Sequence, residues 1–332
     1  MKKIKLIILP LVSLLIVLTV SNTIADILMP RRLDYGSTWE RYLMEDEDSI
    51  DIIIFGSSIV YCDFVPAAIY EETGLTSYVM AGPEQTLPLT YYYLRETLKT
   101  QSPQMVVVEL SAMFFEEYQD YTKVNVGYMP WGLNRLAATF NASEEEQRTG
   151  LLFPMYNYHS LLWQRIESEE ERPEYTIDML AGHTFIGEAR TVGTGTRDTS
   201  MENSNVQKNL RYLEKISSLC QKRGIALEFC IVPACNAVPE KDIEMLDNLT
   251  AELNYPSFVD YQPVLPELEI DTATDYFDML HFNSFGAWKF SKYFASAIDV
   301  SSFTPTEHDS ELWNGRVEHF KHLAAESGLV IK

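Results

Sequence analysis

At 332 residues the chain is long enough for one large core plus an elaboration, and 48 acidic against 26 basic residues give a formal net charge of −22. That balance excludes a general nucleic-acid binder, whose phosphates need a Lys/Arg surface, and it disfavours long-range attraction of an anionic polymer. With 46% hydrophobic residues the chain is globular, and the simplest role of the surplus acid is solubility.

Met1-Lys-Lys-Ile-Lys5 leads into an apolar run over residues 6–20, broken only by Pro10, Ser13 and Thr19. A basic head before an apolar block is an export signal, and the weakly polar stretch to Met29 extends it towards the ~20 residues of a bilayer-crossing helix. Residues 1–28 therefore predict a signal anchor, Lys2, Lys3 and Lys5 favouring a cytoplasmic N-terminus and an extracytoplasmic body. Thr23 and Ala25 also fit a cleavage pattern, so removal of the segment stays open. Residues 29–48 are polar, end in Glu45-Asp-Glu-Asp48, and read as a stalk or first helix.

The body starts near Ser49. Asp51-Ile-Ile-Ile-Phe55, stopped by Gly56, has the continuous apolar character of a strand buried on both faces of a parallel sheet. A helix is predicted over 65–73, with Pro66 in its first turn and Gly74 at its stop, then a strand over 76–80 and a helix over 89–100. Met105-Val-Val-Val-Glu-Leu110 predicts the next strand, followed after an interruption by a helix at 205–223, a strand at 225–232, a helix at 239–253, a short strand at 257–260 and a helix at 285–298. Alternating strands and helices predict a three-layer α/β/α sandwich on a mostly parallel sheet over residues 49–300. Residues 301–332 predict a C-terminal helical tail, where His319 and His322 read as part of a solvated amphipathic helix and not as metal ligands.

Residues 116–204 break the alternation and predict a helical insertion. Its position after a central strand puts it over the carboxyl edge of the sheet, as a cap. It holds an amphipathic helix candidate near 155–166, His159, an acidic run over 167–171 that reads as a solvated face, and a loop-like Val192-Gly-Thr-Gly-Thr-Arg197. The cysteines Cys62, Cys220, Cys230 and Cys235 show no metal spacing and read as buried free thiols.

Two segments carry chemistry. The first strand runs into Gly56-Ser57-Ser58, which puts a hydroxyl at the mouth of the sheet beside backbone N–H groups. Near the other end, Asp278-Met-Leu-His281 supplies an imidazole with a carboxylate three residues before it. Serine needs a base at neutral pH, and the base needs an acceptor to fix its tautomer, so Ser58, Asp278 and His281 form a nucleophile, orienter and base.

Phe55-Gly-Ser-Ser58, Gly82 after the second strand and Asp278-x-x-His281 resemble blocks one, two and five of the SGNH (GDSL-type) hydrolase superfamily, over about residues 50–300. Tyr91-Tyr-Tyr-Leu, Phe153-Pro-Met-Tyr-Asn-Tyr-His159 and the N-terminal anchor resemble exported members related to teichoic acid D-alanine transfer and alginate O-acetylation proteins. The resemblance implies a flavodoxin-like sheet, a Ser58 nucleophile, an Asp278 and His281 relay, no cofactor and no metal. Its implied substrate is an acyl ester of a cell-envelope glycan or polymer, worked on by an esterase or O-acyltransferase that could partner a membrane acyltransferase. The chain departs from the pattern where block three would be: the third strand ends in Glu109-Leu-Ser111, without the Asn whose amide joins the oxyanion hole. Ser58, Gly82 and the Gln85 amide are then the expected oxyanion donors. A catalytically weak or inactive SGNH-fold binding or scaffold protein of the cell envelope is the alternative.

Overall fold

The computed structural model describes residues 2–33, 39–167, 174–199 and 203–328. A long helix α1 (Lys2–Leu28) precedes a short α2 (Trp39–Tyr42). The first half of the sheet follows: β1 (Ile52–Gly56), α3 (Ser58–Asp63), α4 (Pro66–Thr73), β2 (Ser77–Ala81), α5 (Leu87–Thr97) and β3 (Met105–Glu109). The insertion contributes α6 (Thr122–Gly127), α7 (Leu133–Asn141), α8 (Glu145–Leu152), α9 (Met155–Tyr158), a 3-10 turn (His159–Leu161), α10 (Leu162–Glu167) and a two-residue strand β4 (Gly195–Thr196). The second half comprises α11 (Asn203–Arg223), β5 (Ala226–Ile231), a short β6 (Asn236–Ala237), α12 (Glu240–Ala251), β7 (Ser257–Asp260), α13 (Ser284–Ala297) and α14 (Ser310–Glu326).

The five main strands pair in the order β2-β1-β3-β5-β7, all parallel. Counted within that sheet this is the 2-1-3-4-5 flavodoxin-like order of a three-layer α/β/α sandwich, as the alternation predicts. Successive strand residues face opposite layers. Ile53, Phe55, Tyr78, Met80, Val106 and Val108 share a core with α5 and α11, while Ile52, Ile54, Val79, Ala81 and Val107 share one with α4 and α13. Burial on both faces is why these strands read as unbroken apolar runs. The strand order reverses between β1 and β3, so the carboxyl end of β1 opens into the crevice where this fold places ligands.

Both ends of the domain depart from the sequence expectations. The 29–48 segment is no stalk beyond its start: Trp39 and Tyr42 are each 1% exposed and pack edge to face at 5.7 Å. The 301–332 segment is no tail, because α14 buries Trp313, Val317 and Phe320 against the body. Its Arg316 pairs with Glu45 at 2.5 Å and donates through Nε to the Asp178 carbonyl at 3.1 Å, while Asp178 also pairs with Arg41 at 2.9 Å. Two charged segments that look solvated thus neutralise one another inside the fold, a long-range match without local signature.

Part of the insertion is woven into the domain. Val79 N–H on the edge strand β2 donates to the Ala181 carbonyl at 2.9 Å, which closes an edge that would otherwise be free to pair with another chain. Gly182, at φ +89, allows that approach, since a side chain there would collide with the Val79 carbonyl. The 155–166 stretch folds as three short pieces, not one amphipathic helix, and residues 168–171 of the acidic run lie outside the described residues. All four cysteines are free and buried.

Glu228 on β5 accepts a hydrogen bond from Tyr261 Oη at 2.9 Å. Burial raises its carboxyl from 4.5 to about 7, against the smaller lowering effect of the tyrosine. A raised folded value means that its contribution to stability is complete below about 4.5 and is lost as pH rises through about 7. Glu228→Gln should therefore raise the unfolding free energy above pH 7, by on the order of 1–3 kcal/mol, with the gain fading towards pH 4. Denaturant melts at the two pH values check this, and a gain larger at pH 4 would contradict it.

Candidate active site

β1 ends at Gly56, and α3 begins two residues later. A side chain at Gly56 would run into Val60 and lie 3.2 Å from the Glu109 Cβ, so glycine is what lets the chain turn this tightly. The turn leaves Ser58 at the first position of α3, at the carboxyl edge of the sheet, with an N–H that has no acceptor inside the helix.

The segment over 275–283 is a small hairpin, closed by an antiparallel bridge between Tyr276 and Phe282. Phe277 N–H donates to the His281 carbonyl at 3.0 Å, and Asn283 N–H to the Asp275 carbonyl at 3.1 Å. Asn283 then caps α13, accepting from Phe285 and Gly286 N–H at 3.1 Å each, so the cap is this asparagine and His281 is left free to turn into the crevice.

The structure brings the three predicted residues together. His281 Nε2 lies 2.9 Å from Ser58 Oγ, and Nδ1 lies 2.9 Å from both Asp278 carboxylate oxygens. The carboxylate holds the ring proton on Nδ1, which leaves Nε2 to accept from the Ser58 hydroxyl. Partial burial works to raise the Asp278 carboxyl, but the His281 ring and the backbone N–H groups of Leu280 and His281 outweigh it and hold the group below its ordinary value. With a lowered folded value, this arrangement is at full strength above about 3.9 and is lost as pH falls through the folded value.

Beneath the site lies a residue without a sequence signature of function. Asp63 ends α3, is 0% exposed, and accepts through Oδ1 from Phe282 N–H at 2.9 Å, next to His281 in the chain. Burial pushes its carboxyl well up, and the negative neighbours Glu109 and Asp278 add to this, against the Phe282 bond and Arg197. The helix that starts with Ser58 therefore ends with a buried acid that holds the loop carrying His281.

The expected oxyanion donors divide. Ser58 lines the crevice, as do Pro83 and Glu84, which directly follow Gly82. Gln85 does not supply the expected amide: its Nε2 donates to Thr90 Oγ1 at 3.0 Å and to the Met80 carbonyl at 3.5 Å, inside the core. The buried polar groups around it on β2 and α5 recruit the amide first. At Ser111, where the block-three amide would be expected nearby, the hydroxyl is held by Glu109 Oε1 and Arg197 Nη1 at 2.5 Å each. Asn125, on α6 of the insertion, is a side-chain amide that sequence reasoning missed; it is fully buried against Gly82 and donates to the Pro83 carbonyl at 2.8 Å.

The crevice encloses about 630 Å³. Tyr121, Val124 and Tyr128 from the insertion wall one side, as a cap would, and Pro30, Arg31 and Arg32 from the segment after α1 form another. Glu84 faces it from a left-handed backbone at φ +49, a strained conformation for a non-glycine residue, with its Oε2 buried and unpartnered. His159 is exposed on the cap, its Nδ1 near the Met155 and Tyr156 carbonyls, and does not line the crevice. Among the described residues no three or more His, Cys, Asp or Glu side chains are grouped to hold a metal ion, the His319 and His322 pair included. Against known proteins, the chain matches no family model and no curated protein.

Removing the Asp63 carboxyl leaves a buried N–H without an acceptor, a loss of about 1–3 kcal/mol. Asp63→Ala should lower the melting temperature and slow modification of Ser58 by a serine-reactive fluorophosphonate, whereas Asp63→Asn, which keeps an oxygen, should preserve both. Equal behaviour of the alanine variant and the parent would remove the positioning role.

Proposed function

We propose that the chain is an exported, membrane-tethered SGNH-type serine esterase or O-acyltransferase that works on acyl esters of a cell-envelope glycan or polymer. The observation that carries this reading is the line Ser58 Oγ, His281 ring, Asp278 carboxylate, with both contacts at 2.9 Å. The α/β fold supports it by putting that line at the topological switch point of the sheet.

In the first step Ser58 Oγ attacks the acyl carbonyl carbon as its proton passes to His281 Nε2. The tetrahedral intermediate expels the ester's alcohol, which takes that proton, and leaves the acyl group on Ser58. A second hydroxyl, from water or a glycan, gives its proton to His281, attacks the acyl-serine and restores the Ser58 hydroxyl. The walls formed by Tyr121, Val124 and Tyr128 favour transfer over hydrolysis by excluding water from the acyl-enzyme. Backbone N–H groups at Ser58 and Gly82 are the remaining oxyanion donors, and loss of one donor typically costs about 2.7–4 kcal/mol. The engaged Gln85 amide favours the second reading, a weak or inactive scaffold protein on the same fold.

The tether in this reading is α1. Among the described residues no helix is long and apolar enough to cross a membrane. Side chains at 2–7, 11, 14 and 15 fall outside those residues, so the anchor rests on the sequence of the apolar run.

Exposure of the full-length protein to a fluorophosphonate should add one phosphonyl group, on the peptide holding Ser58, and none in Ser58→Ala. His281→Ala should slow the addition about 10²–10⁴-fold. Absence of any adduct on the native protein would favour the scaffold. In cells, transfer predicts that Ser58→Ala lowers the ester content of a surface glycan, while a rise would leave hydrolysis standing.

A further inference from the structure

The insertion has a face that is inside out for a protein surrounded by water. On α7 the buried positions are Asn134, Arg135, Ala138 and Thr139, whereas Leu133, Leu136 and Phe140 are 80%, 42% and 49% exposed. A helix in water normally turns the apolar set inward. Nearby Phe153, Tyr156 and Trp163 are 48%, 65% and 68% exposed, and Trp131 is 44% exposed with the Arg135 guanidinium 3.8 Å above its ring. An unpartnered apolar surface of this kind needs a covering.

The base of α1 identifies the covering. The C-terminal end of α1 is seated on α9 and the 3-10 turn after it. Just beyond the helix, the Pro30 carbonyl accepts from Tyr128 Oη at 2.7 Å, and Asp26 exerts a charge effect on Arg135. The insertion that carries these outward apolar side chains is thus in contact with the root of a helix that exposes Leu9, Ile16, Val17 and Val20 at 52–70%. Where α7 packs on α5, Arg95 and Arg223 line a groove with Leu133, while Lys99 there is paired with Glu96 at 2.7 Å. Aromatic rings and aliphatic side chains turned outward beside that helix match the headgroup boundary of a bilayer.

We propose that the apolar face of the insertion rests on the lipid surface beside the α1 anchor, so that the Ser58 crevice takes substrate groups presented at the bilayer. This rests on the anchored enzyme proposed above. Pro30, Arg31 and Arg32 line the crevice, and Arg32 is four residues past Leu28, at most about 14 Å of chain from the helix end. The acyl donor or acceptor is thereby a molecule attached to the membrane or held against it, and a freely diffusing soluble ester is the poorer substrate.

The five tryptophans provide the test, because Trp39, Trp288 and Trp313 are 1–2% exposed while Trp131 and Trp163 face outward. The full-length chain is reconstituted into phosphatidylglycerol-containing vesicles whose acyl chains carry bromine near the headgroup. Flotation with the vesicles reads the anchor, and loss of tryptophan fluorescence reads contact of the insertion. Quenching is expected in the parent and in Ser58→Ala, reduced in Trp131→Phe and Trp163→Phe, and abolished in the double variant. A protein that floats but is not quenched, or a double variant quenched as strongly as the parent, would overturn the contact while leaving the catalytic reading intact. Shielding of Trp131 and Trp163 by a second protein in place of lipid would overturn it equally.

Discussion

Everything proposed for this chain depends on holding His281 against a serine 223 positions away in sequence, and a buried carboxyl makes the connection. Asp63 sits at the far end of the one and a half turns of helix that begin with Ser58, and it receives the Phe282 N–H. Ser58 and the His281 loop are thus fastened to two ends of one short rigid element. Burial pushes the Asp63 carboxyl well up, and ionising it would add to the negative charge of Asp278 near the imidazole. The hairpin over 275–283 is secured independently, by Asn236 N–H to the Met279 carbonyl at 2.8 Å and by Arg190 N–H to the Tyr276 carbonyl at 2.9 Å.

How much of this was legible in the sequence follows from the range of the interactions concerned. Strands buried on both faces announce themselves locally, so β1, β2, β3, β5 and β7, and with them α4, α5, α11, α12 and α13, were readable within a few residues. The Gly56 turn and the Asp278 to His281 spacing were readable for the same reason. Pairings across long separations were not. Trp39 and Tyr42 lie in a segment whose acid residues suggest a stalk, and Arg316 lies in one whose charge suggests a tail. The meeting of Arg316 with Glu45, 271 residues apart, joins Trp39 against Tyr93 and Trp313 against Tyr70 in turning both into core. Gln85 failed for a related reason: its nearness to Gly82 in sequence said nothing of the Thr90 hydroxyl that takes its amide.

The same logic explains the insertion. Its period and composition suggest an amphipathic cover, and a water-based reading turns the apolar side inward. On α7 that reading inverts, with Asn134 donating to Glu96 at 2.7 Å and Arg135 to the Met129 carbonyl at 2.8 Å beneath an outward stripe of Leu133, Leu136 and Phe140. Which side of such a helix is buried depends on the solvent beyond it, and a pattern of spacing carries no information about that solvent.

The charge of the chain then acquires a direction. A net −22 repels an anionic bilayer, and at physiological salt that repulsion acts over only about 8 Å. Acidic surface turned away from the lipid costs little, whereas acid turned towards it is penalised. In the proposed arrangement α1 fixes one point and the apolar stripe of α7 favours one side, which would give the domain a preferred tilt on its tether. Under that proposal the tilt turns the Ser58 crevice towards the surface through its lining residues Pro30, Arg31 and Arg32. Under the same proposal, the surplus acid that at first suggests only solubility disfavours every orientation that turns acidic surface towards the lipid.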